Sequence, residues 1–132
     1  MAPPTYEHTR AWKQALALVA HVYKLTQTFP AEEKSGLAGG MRKSIAALPL
    51  KLADCWAQDE YEPALAAASA GHALLRDTLV QAQVAYHLAL LNKHQLADLR
   101  KRTARTAHTL DAMLDDLFED DTPEQTTKRQ AA

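Results

Sequence analysis

The sequence predicts an all-α fold, an antiparallel up-down-up-down four-helix bundle. Three observations predict it. The chain is rich in Ala and Leu and holds only 4 Gly and 6 Pro in 132 residues, a composition that leaves long helices unbroken. Apolar side chains recur at spacings of three and four through most of its length, the mark of helices with one buried face. The breaks between these runs are short, and short connections make consecutive helices antiparallel neighbours. Aromatics make up 6% of the chain, too few for the core of a β-sandwich.

The first helix is predicted over Glu7–Thr28. Trp12, Leu16, Val19 and Tyr23 form its main stripe, and Leu18, Val22, Leu25 and Phe29 widen it. Pro30 ends it, because the residue before a proline avoids helical geometry. The second helix is predicted from Ala31–Glu33 to Ala57, with Glu32 and Glu33 in a first turn whose dipole favours negative charge. Its stripe is Leu37, Met41, Ile45, Leu48 and Leu52, ending at Cys55 or Trp56. Gly39-Gly40 loosen it and Pro49 bends it. The stripe stays in phase across Pro49, which favours one bent helix over two.

The third helix opens with Asp59 as N-cap and Glu62 three residues on, a capping-box pair. Pro63 falls in the first turn, where proline is tolerated. The predicted seam is Tyr61, Leu65, Ala68, His72, Leu75, Leu79, Ala82 and Tyr86, and the helix ends near Leu90. Asn92 and Gln95 make the next capping pair. The fourth helix carries Leu96, Leu99, Thr103, Thr106, Leu110, Met113 and Leu117 and ends near Phe118. The organisation is therefore a disordered N-terminus over residues 1–5, a bundle over 6–118 and a polar, disordered tail over 119–132. At 1.5 Å per residue such helices are ~30–45 Å long.

Charge is nearly balanced, with 15 basic and 16 acidic side chains, so no global field demands a nucleic acid or an anionic membrane. The single cysteine, Cys55, cannot form an internal disulfide. The first ten residues lack the apolar core of a signal peptide, and no apolar run reaches the ~20 residues of a membrane span. A cytoplasmic location follows as the expectation.

No catalytic constellation is evident. The six histidines form neither HExxH nor the paired Glu-x-x-His pattern of di-iron bundles. His72 falls in the seam of the third helix, where it is either a ligand or a histidine hydrogen-bonded across the bundle, the commoner fate of a buried polar group. Cys55 lacks an activating neighbour in sequence and reads as a small apolar side chain. Trp12 and Trp56 suit core or interface packing. No cofactor, metal or enzymatic activity is predicted. On the fourth helix Lys93, Arg100, Lys101, Arg102 and Arg105 cluster with His94 and His108, either as a phosphate-binding face or as a solvated one offset by the acidic residues C-terminal to it.

Several segments carry a resemblance. Trp12-Lys13-Gln14-Ala15, Val22-Tyr23-Lys24-Leu25-Thr26, Phe29-Pro30-Ala31-Glu32-Glu33 with Gly36-Leu37, Arg42-Lys43, Leu48-Pro49 and Ala70-Gly71 together resemble the four-helix bundle family encoded in 23S ribosomal RNA intervening sequences. The resemblance spans Tyr6 to Leu117, and the Phe-Pro-x-Glu-Glu segment is its most specific part. It accounts for a proline inside the second helix. The family's Asn-Ile-Ala-Glu-Gly stands here as Lys51-Leu52-Ala53-Asp54-Cys55, and His72 and Leu75 replace a usual Ser and acidic residue.

The resemblance implies ring-shaped homo-oligomers, pentamers, and a relation to accessory proteins of diversity-generating retroelements, which bind a reverse transcriptase and nucleic acid. Excess apolar width on helices one and three, at Ala11, Ala15, Leu18, Val22 and Leu25 and at Ala70 and Leu74, independently suggests a second buried surface. The leading expectation is a non-enzymatic homo-oligomeric interaction scaffold. The alternative is an accessory protein that binds RNA or DNA through basic faces of the ring. The residues assigned to partner or phosphate contact are Arg42, Lys43, Lys51 and Asp54 on the second helix and Lys93, Arg100, Lys101 and Arg105 on the fourth. For Arg42-Lys43 a salt bridge to Asp54 or Asp77 is the competing role.

Overall fold

A computed structural model describes residues 5–119 of the chain. The expectations for residues 1–4 and 120–132 lie outside the described residues. A short 3-10 turn, Tyr6–His8, precedes α1 (Arg10–Thr26). Next come a second 3-10 turn, Ala31–Glu33, then α2 (Leu37–Ala46), α3 (Leu48–Ala57), α4 (Tyr61–His87) and α5 (Lys93–Glu119). α2 and α3 lie end to end, so the chain makes four rods and no strand among the described residues.

Neighbouring rods run antiparallel. His21 on α1 meets Asp98 on α5, while Ala11 shares a cleft with Met113. Ser44 on α2 meets Gln81 on α4, while Leu48 on α3 lies against Gly71. α1 packs on α2, α3 and α5, and α4 packs on those same three. α1 and α4 do not pack closely on each other, which puts them on diagonally opposite corners.

The helix predicted over Glu7–Thr28 is shorter, Arg10–Thr26, with a separate 3-10 turn before it. Thr9 is extended, and its hydroxyl accepts from the Trp12 backbone N–H at 3.1 Å, capping α1 at Arg10. The stripes of α1 are also reversed relative to expectation. Ala11, Ala15, Leu18, Val22 and Leu25 are buried, whereas Leu16 and Tyr23 are 45% and 43% exposed. Small Ala11 and Ala15 let α1 approach its neighbours closely, and this turns the bulkier stripe outward.

The second rod starts later than predicted. Gly36, with φ −94° and ψ −118°, breaks the path from the 3-10 turn and helix begins at Leu37. Gly39 has a specific reason: a Cβ there would lie 2.5 Å from the Lys34 carbonyl oxygen, which folds over the first turn of α2. The rod is interrupted at Ala47, two residues before Pro49, whose missing N–H leaves a gap in the ladder. The interruption costs one residue of helix and no phase, since Met41, Ile45, Leu48, Leu52 and Cys55 are all buried on one side.

The Asp59 capping box does not form. Glu60 occupies the N-cap of α4 and makes no side-chain cap hydrogen bond. The seam of α4 keeps Ala68, Leu75 and Ala82 as predicted, but between them Ala64, Gly71, Thr78 and Ala85 are buried in place of Leu65, His72, Leu79 and Tyr86, each one residue later. Tyr86, placed in the seam by the heptad reading, is exposed. α4 ends at His87, and Ala89 takes a left-handed φ of 62° while Leu90 N–H reaches back to the Ala85 carbonyl at 2.8 Å. This is the six-to-one bond of a Schellman ending. The second capping pair forms as expected: Gln95 N–H donates to Asn92 Oδ1 at 2.8 Å and Asn92 N–H donates to Gln95 Oε1 at 2.9 Å.

The core is made of Leu, Ala, Met and Ile side chains closed by Leu99, Leu110, Met113 and Leu114 from α5. Four buried threonines hydrogen-bond back into their own helices; Thr78 donates to the Leu74 carbonyl at 2.8 Å and Thr106 to that of Arg102 at 2.9 Å. The hydroxyls of Thr78, Thr103 and Thr106 therefore need no cross-bundle network.

Candidate functional site

The sequence-predicted residues of the second rod do not converge. Arg42 turns back onto α1: its Nε donates to Thr26 Oγ1 at 2.8 Å, its Nη2 donates to the Tyr23 carbonyl at 3.2 Å, and the guanidinium stacks over the Tyr23 ring at 4.6 Å. The Tyr23 carbonyl belongs to the last turn of α1, where a cation offsets the negative helix end. Arg42 is thus a tether between rods, and no salt bridge to Asp54 or Asp77 forms. Lys43 is exposed. Lys51 and Asp54 face each other at 3.8 Å on exposed ground, a pairing of little energetic weight.

The cations of α5 behave differently. Lys93, Arg100, Lys101 and Arg105 are all exposed, as are His94 and His108. Lys101 and Arg105 are four apart, so they share one face of the helix. Arg102, half-buried, is held by Asp98, whose Oδ2 accepts from Arg102 Nε at 2.7 Å. That bond holds the Asp98 carboxyl below the usual carboxylate range. His21 Nε2 reaches within 3.3 Å of the same Oδ2 without hydrogen-bond alignment. Burial, then the positive charge of Arg102, lowers the His21 pKa, and this outweighs the opposing pull of Asp98.

His72 bridges α4 and α5, with its Nε2 2.7 Å from Asp111 Oδ1. The cross-bundle reading is the observed one, although the pair sits at the margin of the core, with the imidazole one-third exposed. Cys55 is buried in the core and burial pushes its thiol pKa up to about 11. A thiol so disposed is a packing group, since the reactive thiolate is suppressed.

Two hollows escaped the sequence reading. At the bundle end where α1 begins, a cleft of about 750 Å³ opens between α1, α3 and α5, with Trp56 and Met113 on its apolar side and His8, Arg10, His108 and Asp116 around it. Trp12 lies nearby on α1, edge-on to Tyr6 with ring centroids 4.7 Å apart. Midway along the α1–α5 seam, a crevice of about 80 Å³ is lined by Gln14, Ala17, Leu18, Arg102, Arg105 and Thr106. Gln14 Oε1 is buried there without a hydrogen-bond partner among the described residues. Gln14 lies in the Trp12–Ala15 segment that carries the resemblance but gave no signal of a site, because a lone Gln on a helix reads as surface; only the packing of α1 on α5 sets it beside two arginines.

Among the described residues, no three His, Cys, Asp or Glu side chains gather as metal ligands, and no helix is long and apolar enough to cross a membrane. A family model described as 23S rRNA-intervening sequence protein matches residues 7–112, most of the chain. No curated protein matches it.

Proposed function

The chain belongs to the family of 23S rRNA-intervening sequence proteins, and from that premise we propose that it is a non-enzymatic scaffold that assembles with copies of itself into a ring. One observation supports the reading best: most of the exposed large apolar side chains lie on the two rods that occupy opposite corners, with Leu50 of α3 the exception. On α1 these are Leu16 and Tyr23, flanked by half-buried Trp12 and Val19; on α4 they are Val80 and Val84, at 49% and 44% exposure, with Leu88 just beyond its end. Spacings of four and three on α1 and of four on α4 make each set a continuous stripe. Exposed stripes of this kind mark surfaces made to be covered.

Their placement favours one kind of assembly. One stripe meeting its own equivalent closes a two-fold dimer and leaves the other stripe bare. The α1 stripe of one copy meeting the α4 stripe of the next covers both, and that heterologous contact generates a ring when the rotation closes. A pentamer is the proposed ring size. Light scattering of the full-length protein over a range of concentrations tests the reading. A mass of three or more protomers supports it, and a monomer or a dimer at every concentration refutes it.

A second reading, an accessory protein that binds RNA or DNA, draws on the exposed cations Lys93, Arg100, Lys101 and Arg105. A ring would repeat that face and raise avidity without raising the charge of each chain.

A further inference from the structure

We infer that the crevice between α1 and α5 at Gln14, Arg102 and Arg105 is a binding site for a phosphate group. Arg102 and Arg105 are three apart on α5 and line the same small hollow. Asp98 engages only the Nε of Arg102, which anchors the guanidinium by one edge. The Nη groups of Arg102 and the whole Arg105 guanidinium make no hydrogen bond or ion pair among the described residues. Two forks with open donors match the several oxygens of a phosphate.

Gln14 completes the site from the opposite rod. Its Oε1 is buried and lacks a partner, which is costly for a polar atom unless something fills the space. A protonated phosphate oxygen or a ribose hydroxyl would donate to it, and an amide turned end for end would instead donate its NH2 to an oxyanion. Ala17 and Leu18 supply an apolar wall that strengthens these contacts. The hollow, about 80 Å³, is small and suits a compact anion rather than a large ligand. Lys101 lies beside the pair on α5, so the local balance is positive despite Asp98.

The inference does not rest on the homo-oligomeric reading. The phosphate has two sources, a free or small-molecule phosphate and the backbone of a polynucleotide, and the test separates them. In one arm, full-length protein is titrated with sodium phosphate at constant ionic strength, following the Gln14 side-chain amide and the Arg102 and Arg105 Nε signals by NMR. In the other, a mixed-sequence single-stranded RNA is titrated by fluorescence anisotropy. Both arms compare the wild type with Arg105→Gln, with Arg105→Lys, which keeps the charge but loses the fork, with Lys93→Gln, a cation of the same helix outside the crevice, and with Arg76→Gln, an exposed cation on α4, as the control.

Saturable shifts at Gln14 and the arginines, weakened about tenfold or more by Arg105→Gln and left intact by Arg76→Gln, establish the site. If RNA is the source, its affinity falls more for Arg105→Gln than for Lys93→Gln and the salt slope drops by about 0.7, one single-strand phosphate. If phosphate shifts nothing at Gln14 and RNA affinity responds equally to Arg105→Gln and Lys93→Gln, the inference is overturned while a diffuse RNA-binding face still stands.

Discussion

His21 shows how one side chain reports the packing of two rods. Burial and Arg102 lower its pKa from 6.5, so the folded protein holds fewer protons there than the unfolded chain as pH falls below that value. Its contribution is complete above about 6.5 and is lost as pH drops through the folded pKa. Asp98 has the same sign at lower pH: its depressed pKa adds stability above 3.8 that disappears on further acidification. Melting temperature measured against pH should decline below about 6.5, and His21→Gln should flatten that decline while leaving the lower limb in place. An unchanged profile in the variant would remove His21 as its source. None of this was legible from the sequence, because His21 is one of six histidines and its partners come from a rod 77 residues away along the chain, at Asp98.

At the scale of elements, helix ends decide more than helix interiors. The Asn92–Gln95 pair was legible because both halves of a capping box sit within four residues and need nothing from elsewhere. The Asp59–Glu62 pair has similar chemistry, yet α4 starts one residue later, with Glu60 as its N-cap, and the pair is not used. The stripe of the second rod stays in phase across Pro49 because a single-residue interruption barely rotates α3 relative to α2. Both stripes of α1 were legible, but not which one faces the core, because hydrophobicity ranks Leu16 and Tyr23 above Ala11 and Ala15, whereas close helix approach rewards the alanines.

Two substitutions test this account of the ends in opposite directions. Asn92→Ala should lower stability by about 1 kcal/mol through loss of the cap. Ala89→Gly should raise it by about 1 kcal/mol, since a left-handed φ of 62° strains an alanine and not a glycine. Urea melts of both variants give the answer; a destabilised Ala89→Gly would mean that the turn gains from the alanine methyl more than it loses to strain.

For the whole molecule, the bundle and the family were legible from local patterns that share one rod each. The face that stays uncovered was not, because it depends on which stripe of α1 wins the core and on α1 and α4 standing at opposite corners. Those same facts make a heterologous contact the natural way to cover both stripes. They also yield a test that sizing alone cannot supply. Leu16→Glu spoils the α1 stripe and leaves the α4 stripe whole; Val84→Glu does the reverse. Both residues are exposed in the single chain, so each variant should fold and melt nearly as the parent monomer would. The decisive measurement is the light-scattering mass of each variant alone and of the two mixed in equal amounts. Each alone should be a monomer, and the mixture should form a one-to-one dimer through the single intact pair of stripes. A mixture that stays monomeric, or one variant that assembles as fully as the wild type, would contradict a ring built on α1 against α4.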